Sequence, residues 1–136
     1  MLGVSPYIAF RGNCREAIEF YKSSLDAEVL FNQTYGDSPM SDIGAADNIM
    51  HCTIKVGDSQ IMMCDDPRPD VATASGNISL AIGMNDPGKA KQLFENLAKG
   101  GTVVMPLEKT FWAEAFGMVT DKFGVKWMVN SEAASQ

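Results

Sequence analysis

The sequence predicts an α+β fold built from two β-α-β-β-β modules whose sheets curl around a cup. Three observations carry that prediction. Apolar residues recur at helical spacing in two stretches. Each stretch is preceded by one strand-like run and followed by three more. A segment from Asp65 to Gly76, rich in small residues and containing two prolines, divides the halves. With 136 residues the chain fits one domain. Module one is expected at about 4–65, a linker at 66–76 and module two at 77–130.

The first strand is Pro6-Tyr7-Ile8-Ala9-Phe10, ended by Arg11-Gly12. Asn13 then opens a helix with Glu16 three residues on, the spacing of a capping box. Cys14, Ala17, Ile18, Tyr21 and Leu25 form its apolar stripe, so it should end near Leu25. A strand follows from Glu28 to Tyr35. Gly36 to Asn48 is rich in Gly, Ser, Asp and Pro and reads as a long loop, a flap or a disordered stretch. Strands at Ile49 to Val56 and Ser59 to Cys64 are joined by Gly57-Asp58, a hairpin signal.

The pattern then restarts with a strand at Asn77 to Met84. Asp86-Pro87 is an N-cap with proline at the first helical position. Ala90, Leu93, Phe94, Leu97 and Ala98 make the second stripe, closed by Gly100-Gly101. Strands are expected at Thr102 to Met105, Ala113 to Thr120 and Val125 to Asn130, and the tail from Asn130 to Gln136 should fray. A shift of about 73 residues lays Ala17 on Ala90, Phe20 on Leu93 and Tyr21 on Phe94, so the repeat rests on element order and apolar pattern.

Strand alternation separates a helix-covering face from an open one. In the fifth strand Ile78, Leu80, Ile82 and Met84 are set against Asn77, Ser79, Ala81 and Gly83. In the third strand Met50, Cys52, Ile54 and Val56 oppose His51 and Thr53. In the last strand Val125, Trp127 and Val129 oppose Lys126, Met128 and Asn130. The smaller, more polar sets leave room for a ligand.

His51, the single histidine, is the candidate proton acceptor, and Glu114 its candidate acid–base partner. A hydrogen-bonded structural histidine is the plainer alternative. Tyr7 and Arg11 share a face of the first strand by parity, where Arg11 either meets an anionic substrate or makes a surface ion pair. Trp112, beside Phe111, offers an aromatic wall or a dimer contact. Thr53, Met62, Asn77, Ser79 and Met128 complete the candidate ligand-binding set. The nine methionines read mainly as core filler, with some suited to an adaptable pocket wall.

Apolar content of 46% and charged content of 21% are ordinary for a globular protein. A net charge of −6 with scattered Lys and Arg disfavours nucleic acid. No apolar run approaches the roughly 20 residues that span a bilayer. The start of the chain lacks the pattern of a secretory leader. Cys14, Cys52 and Cys64 form no CxxC pair and read as buried free thiols of a reducing compartment, so a cytoplasmic protein is expected.

Taken together, Pro6-Tyr7-Ile8-Ala9-Phe10 with Gly12, Ala17-Ile18-Glu19-Phe20-Tyr21-Lys22, Met50-His51, Trp112 and Asp121-Lys122-Phe123-Gly124-Val125-Lys126-Trp127 are a familiar set. The chain resembles the vicinal oxygen chelate superfamily, the glyoxalase/bleomycin-resistance/dihydroxybiphenyl dioxygenase-like fold. Within it, the chain is most similar to the PhnB-like branch, labelled 3-demethylubiquinone methyltransferase-like. No glycine-rich S-adenosylmethionine motif supports the methyltransferase label. The resemblance implies a divalent metal held by His, Glu or Gln at four strand positions. Those positions fall here at about Pro6, Met62 or Met63, Asn77 and Met128, which makes such a metal improbable. It also implies a homodimer. Two functions remain: a metal-independent small-molecule binder without a cofactor, and a lyase, isomerase or dioxygenase-like enzyme using a metal or a His51/Glu114 pair. A structural dimer with a filled cup is a third.

Overall fold

A computed structural model describes residues 2–68 and 76–132. The chain forms two compact units, Met1–Thr73 and Ala74–Gln136, each holding one helix and one four-stranded sheet. Most of the expected linker, residues 69–75, and the last four residues of the tail lie outside the described residues.

In the first unit β1 (Tyr7–Phe10) leads to α1 (Cys14–Leu25), then β2 (Glu28–Thr34), β3 (Ile49–Val56) and β4 (Ser59–Asp65). The strand order is β1-β4-β3-β2, with β1 parallel to β4 and the other pairs antiparallel. Gly57, at φ 56°, supplies the left-handed turn that lets Val56 pair with Ser59. α1 packs on β3 and β4 through the predicted stripe: Cys14, Ala17, Ile18, Tyr21 and Leu25 are all buried, as are Cys52, Ile54 and Met63. Tyr21 is fully enclosed, and truncating so large a core side chain costs about 3–5 kcal/mol.

Two expectations change here. The capping box does not form, because the Asn13 side chain makes no cap hydrogen bond. The end of β4 caps the helix instead. Asp65 is buried, and its Oδ1 accepts from the backbone N–H groups of Gly12 at 2.8 Å and Cys14 at 2.9 Å, while Oδ2 accepts from Ile49 N–H at 2.9 Å. A carboxylate at a helix N-terminus satisfies orphan donors and meets the positive end of the dipole. The 36–48 segment is not an open flap either. Backbone bonds from Tyr35 to Asn48 and from Gly36 to Ala46 close it, and the buried Tyr35 donates its hydroxyl to the Asp65 carbonyl at 2.8 Å. Gly44 lies so close to the Tyr35 ring that a Cβ there would stand 2.7 Å from it.

In the second unit β5 (Leu80–Met84), α2 (Pro87–Ala98), β6 (Thr102–Glu108), β7 (Ala113–Thr120) and β8 (Lys126–Glu132) repeat the order as β5-β8-β7-β6. Asp86 caps α2 as expected, its Oδ1 accepting from Lys89 N–H at 3.1 Å. Ala90, Phe94 and Leu97 are buried where α2 packs on β7 and β8. Gly101 is required by a close approach, since a Cβ would fall 2.2 Å from the Thr120 carbonyl oxygen. The closing Asp-x-Phe-Gly-x-x-Trp motif is structural. Buried Asp121 accepts from Phe123 N–H at 2.8 Å and Val125 N–H at 3.1 Å through Oδ1, and from the Trp127 indole at 2.9 Å through Oδ2.

The strand bounds also differ from expectation. β5 begins at Leu80, because Gly76-Asn77 form a turn and Lys126 Nζ donates to the Gly76 carbonyl. Asn77 and Ser79 therefore precede the strand, and Ile78, 66% exposed, covers no helix. β6 runs on to Glu108, through two register shifts against β7. β8 reaches Glu132 because Ser131 pairs with Met84 on one side and Ala115 on the other, so Asn130, Ser131 and Glu132 do not fray.

Candidate functional site

On the first unit, alternation places His51 and Thr53 opposite the buried Cys52 and Ile54, on the sheet face away from α1. Register extends that face across all four strands. Tyr7 pairs with Met62, Met62 with Thr53, and Thr53 with Phe31. His51 stands beside this row. Its Nδ1 lies 3.5 Å from the Tyr7 hydroxyl and its Nε2 3.1 Å from Thr53 Oγ1. Its ring centroid is 5.7 Å from Tyr7 and 5.9 Å from Phe31. The face thus carries an imidazole between two aromatic rings, with a hydroxyl near each ring nitrogen.

Burial, and next the hydrogen bond to Cys64, push the Tyr7 phenol well above its ordinary range, so it stays protonated. Burial likewise raises the thiols of Cys14, Cys52 and Cys64, Cys52 to about 11, which keeps them as thiols rather than nucleophilic thiolates.

Four predicted residues, Tyr7, His51, Thr53 and Met62, therefore come together on one face. Phe31 joins them unforeseen. Its strand was expected, but a register shift between Val29 and Phe31 changes which side chains share a face, and a bulge leaves little trace in one sequence. Arg11 does not belong to the group. β1 ends at Phe10, and the Arg11 charge helps hold the Asp66 carboxyl low, at about 2, behind the dominant hydrogen bonds from Arg68.

On the second unit, Ala81 and Gly83 are exposed, with no atom within 4 Å of a Cβ built on Gly83. Across β8 and β7 the face continues through Met128 to Met118 and through Asn130 to Phe116. Trp112 stacks edge-to-face on Phe116 at 5.4 Å and on Phe111 at 4.8 Å. Trp112 is half exposed and Phe111 is 96% exposed. Asn130 Oδ1 is buried with no hydrogen-bond partner, a situation that costs about 1–3 kcal/mol. Ser131 Oγ, on the opposite face, is also buried and unpartnered.

Glu114 is half-buried in the second unit and, with Phe94, Leu107, Lys91 and Lys109, lines a hollow of about 420 Å³ between α2 and β6. Gly117 lets two of these residues pack closely, since a Cβ there would meet Phe94 and the Leu107 backbone within 3 Å. His51 and Glu114 belong to different units, so neither unit by itself assembles the predicted acid–base pair.

The donor set at the superfamily's metal positions does not suit a hard divalent ion. Pro6 has no side-chain donor, Met62 and Met128 offer thioethers, Met63 is fully buried, and Asn77 sits in an exposed turn. Among the described residues, no three His, Cys, Asp or Glu side chains converge.

The fold has counterparts. A family model described as 3-demethylubiquinone-9 3-methyltransferase matches residues 3–130. The chain belongs to this family. Among its relatives, Protein YjdN of Escherichia coli (strain K12) is 38% identical, with 93% of each chain covered. The crystal structure of protein PA1353 from Pseudomonas aeruginosa is 40% identical, covers 97% of this chain and 98% of its own, and superposes with a TM-score of 0.87. The PhnB protein from Bacillus cereus, at 24% identity, shares the fold with a TM-score of 0.82, covering 96% of this chain and 99% of its own. A glyoxalase-related enzyme from Fulvimarina pelagi, at 16% identity, shares the fold with a TM-score of 0.65, covering 96% of this chain and 89% of its own. Among the described residues, no helix of this PhnB-like protein is long and apolar enough to cross a membrane.

Proposed function

We propose that this PhnB-like protein binds a small, largely apolar molecule without a metal, using the open sheet face of its first unit. The observation that carries the reading is His51 held between the Tyr7 and Phe31 rings, with Thr53 and Tyr7 hydroxyls at its two nitrogens. Rings supply contact area at little entropic cost, and the hydroxyls that flank the imidazole can orient a ligand by hydrogen bonding. Met62, beside them, adapts to ligand shape. The three buried thiols suit a reducing compartment, and the cytoplasm is the proposed location.

The test joins elemental analysis to a ligand-screening melting assay. A binding compound at 100 times its Kd should stabilise the protein by about 2.7 kcal/mol. Its effect should shrink in Tyr7→Ala and His51→Ala while the unliganded midpoint changes little. One equivalent of metal per chain, or ligand shifts indifferent to both substitutions, would overturn the proposal.

The second reading is an acid–base enzyme, favoured by the hydroxyl contacts at both His51 nitrogens. It requires a compound found in the screen to be converted by the native protein and left intact by His51→Gln.

A further inference from the structure

The second unit carries an independent polar feature that the first-unit site does not use. Asn130 makes no side-chain hydrogen bond among the described residues, and its Oδ1 is buried. Turning its carboxamide onto a ligand would break no bond within the protein. Register puts Gly83 on one side of Asn130 and Phe116 on the other. Over Gly83 the space is open, and Ala81 beside it is exposed. Phe116 is braced by Trp112. A shelf without side chains, a carboxamide and an aromatic wall therefore lie in sequence across three neighbouring strands.

We infer that this face of the second unit is a subsite for a planar molecule bearing a neighbouring hydrogen-bond donor and acceptor, such as a primary carboxamide or a lactam. A carboxamide presents C=O and NH₂ side by side, and its best complement is another donor–acceptor edge. The glycine and alanine leave a flat surface for a ring, and Phe116 with Trp112 meets the ring's face or edge. A purely apolar ligand leaves the Asn130 dipole unmatched, so the subsite discriminates by hydrogen bonding rather than by size. The inference rests on the small-molecule reading above and goes beyond it, because it adds a second face with a ligand chemistry of its own.

The experiment titrates ¹⁵N-labelled full-length protein with benzamide and with acetophenone, which keeps the ring and carbonyl but lacks the N–H donor. Expected are shifts of the Asn130 side-chain amide and of the Gly83 and Phe116 backbone amides, with benzamide bound about tenfold more tightly. Asn130→Leu, checked for an unchanged fold by its spectrum, should bring the ratio of the two affinities close to one. Asn130→Gln should restore part of the preference. Shifts confined to His51 and Thr53 would overturn the subsite and leave the first-unit reading standing. Absence of any shift would overturn the subsite, while the first-unit reading stands or falls on its own ligand screen. An affinity ratio unchanged in Asn130→Leu would also overturn the assignment of Asn130.

Discussion

At the scale of single residues, buried polar groups divide into those the fold uses and those it leaves over. Asp65 and Asp121 are used: each collects backbone N–H groups at the edge of its unit's core, and neither is available for chemistry. Asn130 is left over. The thiols show what burial does to titration. Cys52 is pushed from its ordinary value to about 11, and Cys14 and Cys64 shift in the same direction. The unfolded thiols lose their protons first. Between about pH 9 and about 11 the folded state therefore holds more protons, and stability falls as pH rises. The expected melting temperature is flat up to about pH 8.5 and drops across that window. Cys52→Ala should flatten part of the drop, and a profile equally steep without Cys52 would contradict thiol burial as its cause. Four of the site candidates were legible from residue type and strand parity, because His51, Thr53, Tyr7 and Met62 all lie on strands whose alternation is regular. Arg11, placed on the same face by parity, lies one residue beyond the end of β1.

At the scale of elements, the two helices start differently although their sequences look alike. Both have a capping residue at the right place. Only Asp86 caps through its own side chain, whereas α1 takes its cap from Asp65, which is 52 positions from Asn13. Asp86→Ala should therefore cost about 1 kcal/mol and Asn13→Ala a few tenths at most. Asp65→Asn should cost more than either, about 2–3 kcal/mol, because one carboxylate serves α1 and β3 together. Urea denaturation of the three variants checks the ranking, and an Asn13→Ala loss equal to that of Asp86→Ala would refute it. A local signal such as a capping box shows what a helix can use. The end of β4, a distant partner, displaced it. Loop 36–48 teaches the same point: its Gly and Ser content spells out turns, but the close contact of Gly44 with Tyr35 sets the compact path.

At the scale of the whole molecule, each unit leaves apolar surface in water. Leu30 and Phe31 are exposed on the first unit, and Val103, Val104, Met105 and Phe111 on the second. Edge strands of this kind are normally covered, bent or charged, and β6 is bent by its register shifts. Exposed apolar side chains on edge strands fit self-association. The homodimer implied by the superfamily is accordingly the expected solution state, and sedimentation equilibrium should return twice the chain mass, with a melting midpoint that rises with protein concentration. Val104→Glu should shift the equilibrium toward monomer. A monomer at all concentrations would show that these residues have another partner.

The sequence by itself determined the α+β class, the duplicated β-α-β-β-β order, both helices and the hairpin at Gly57-Asp58. Each of these follows from periodicity or turn chemistry that acts over a few neighbouring residues. Only the tertiary structure decided that Asp65 caps α1, that Phe31 joins His51, that Asn77 and Ser79 stand outside β5, and that Asn130 is left without a partner. Those outcomes depend on bulges and on pairings between distant strands, where the energy of a contact is fixed by which segments meet rather than by the order of residues within one of them.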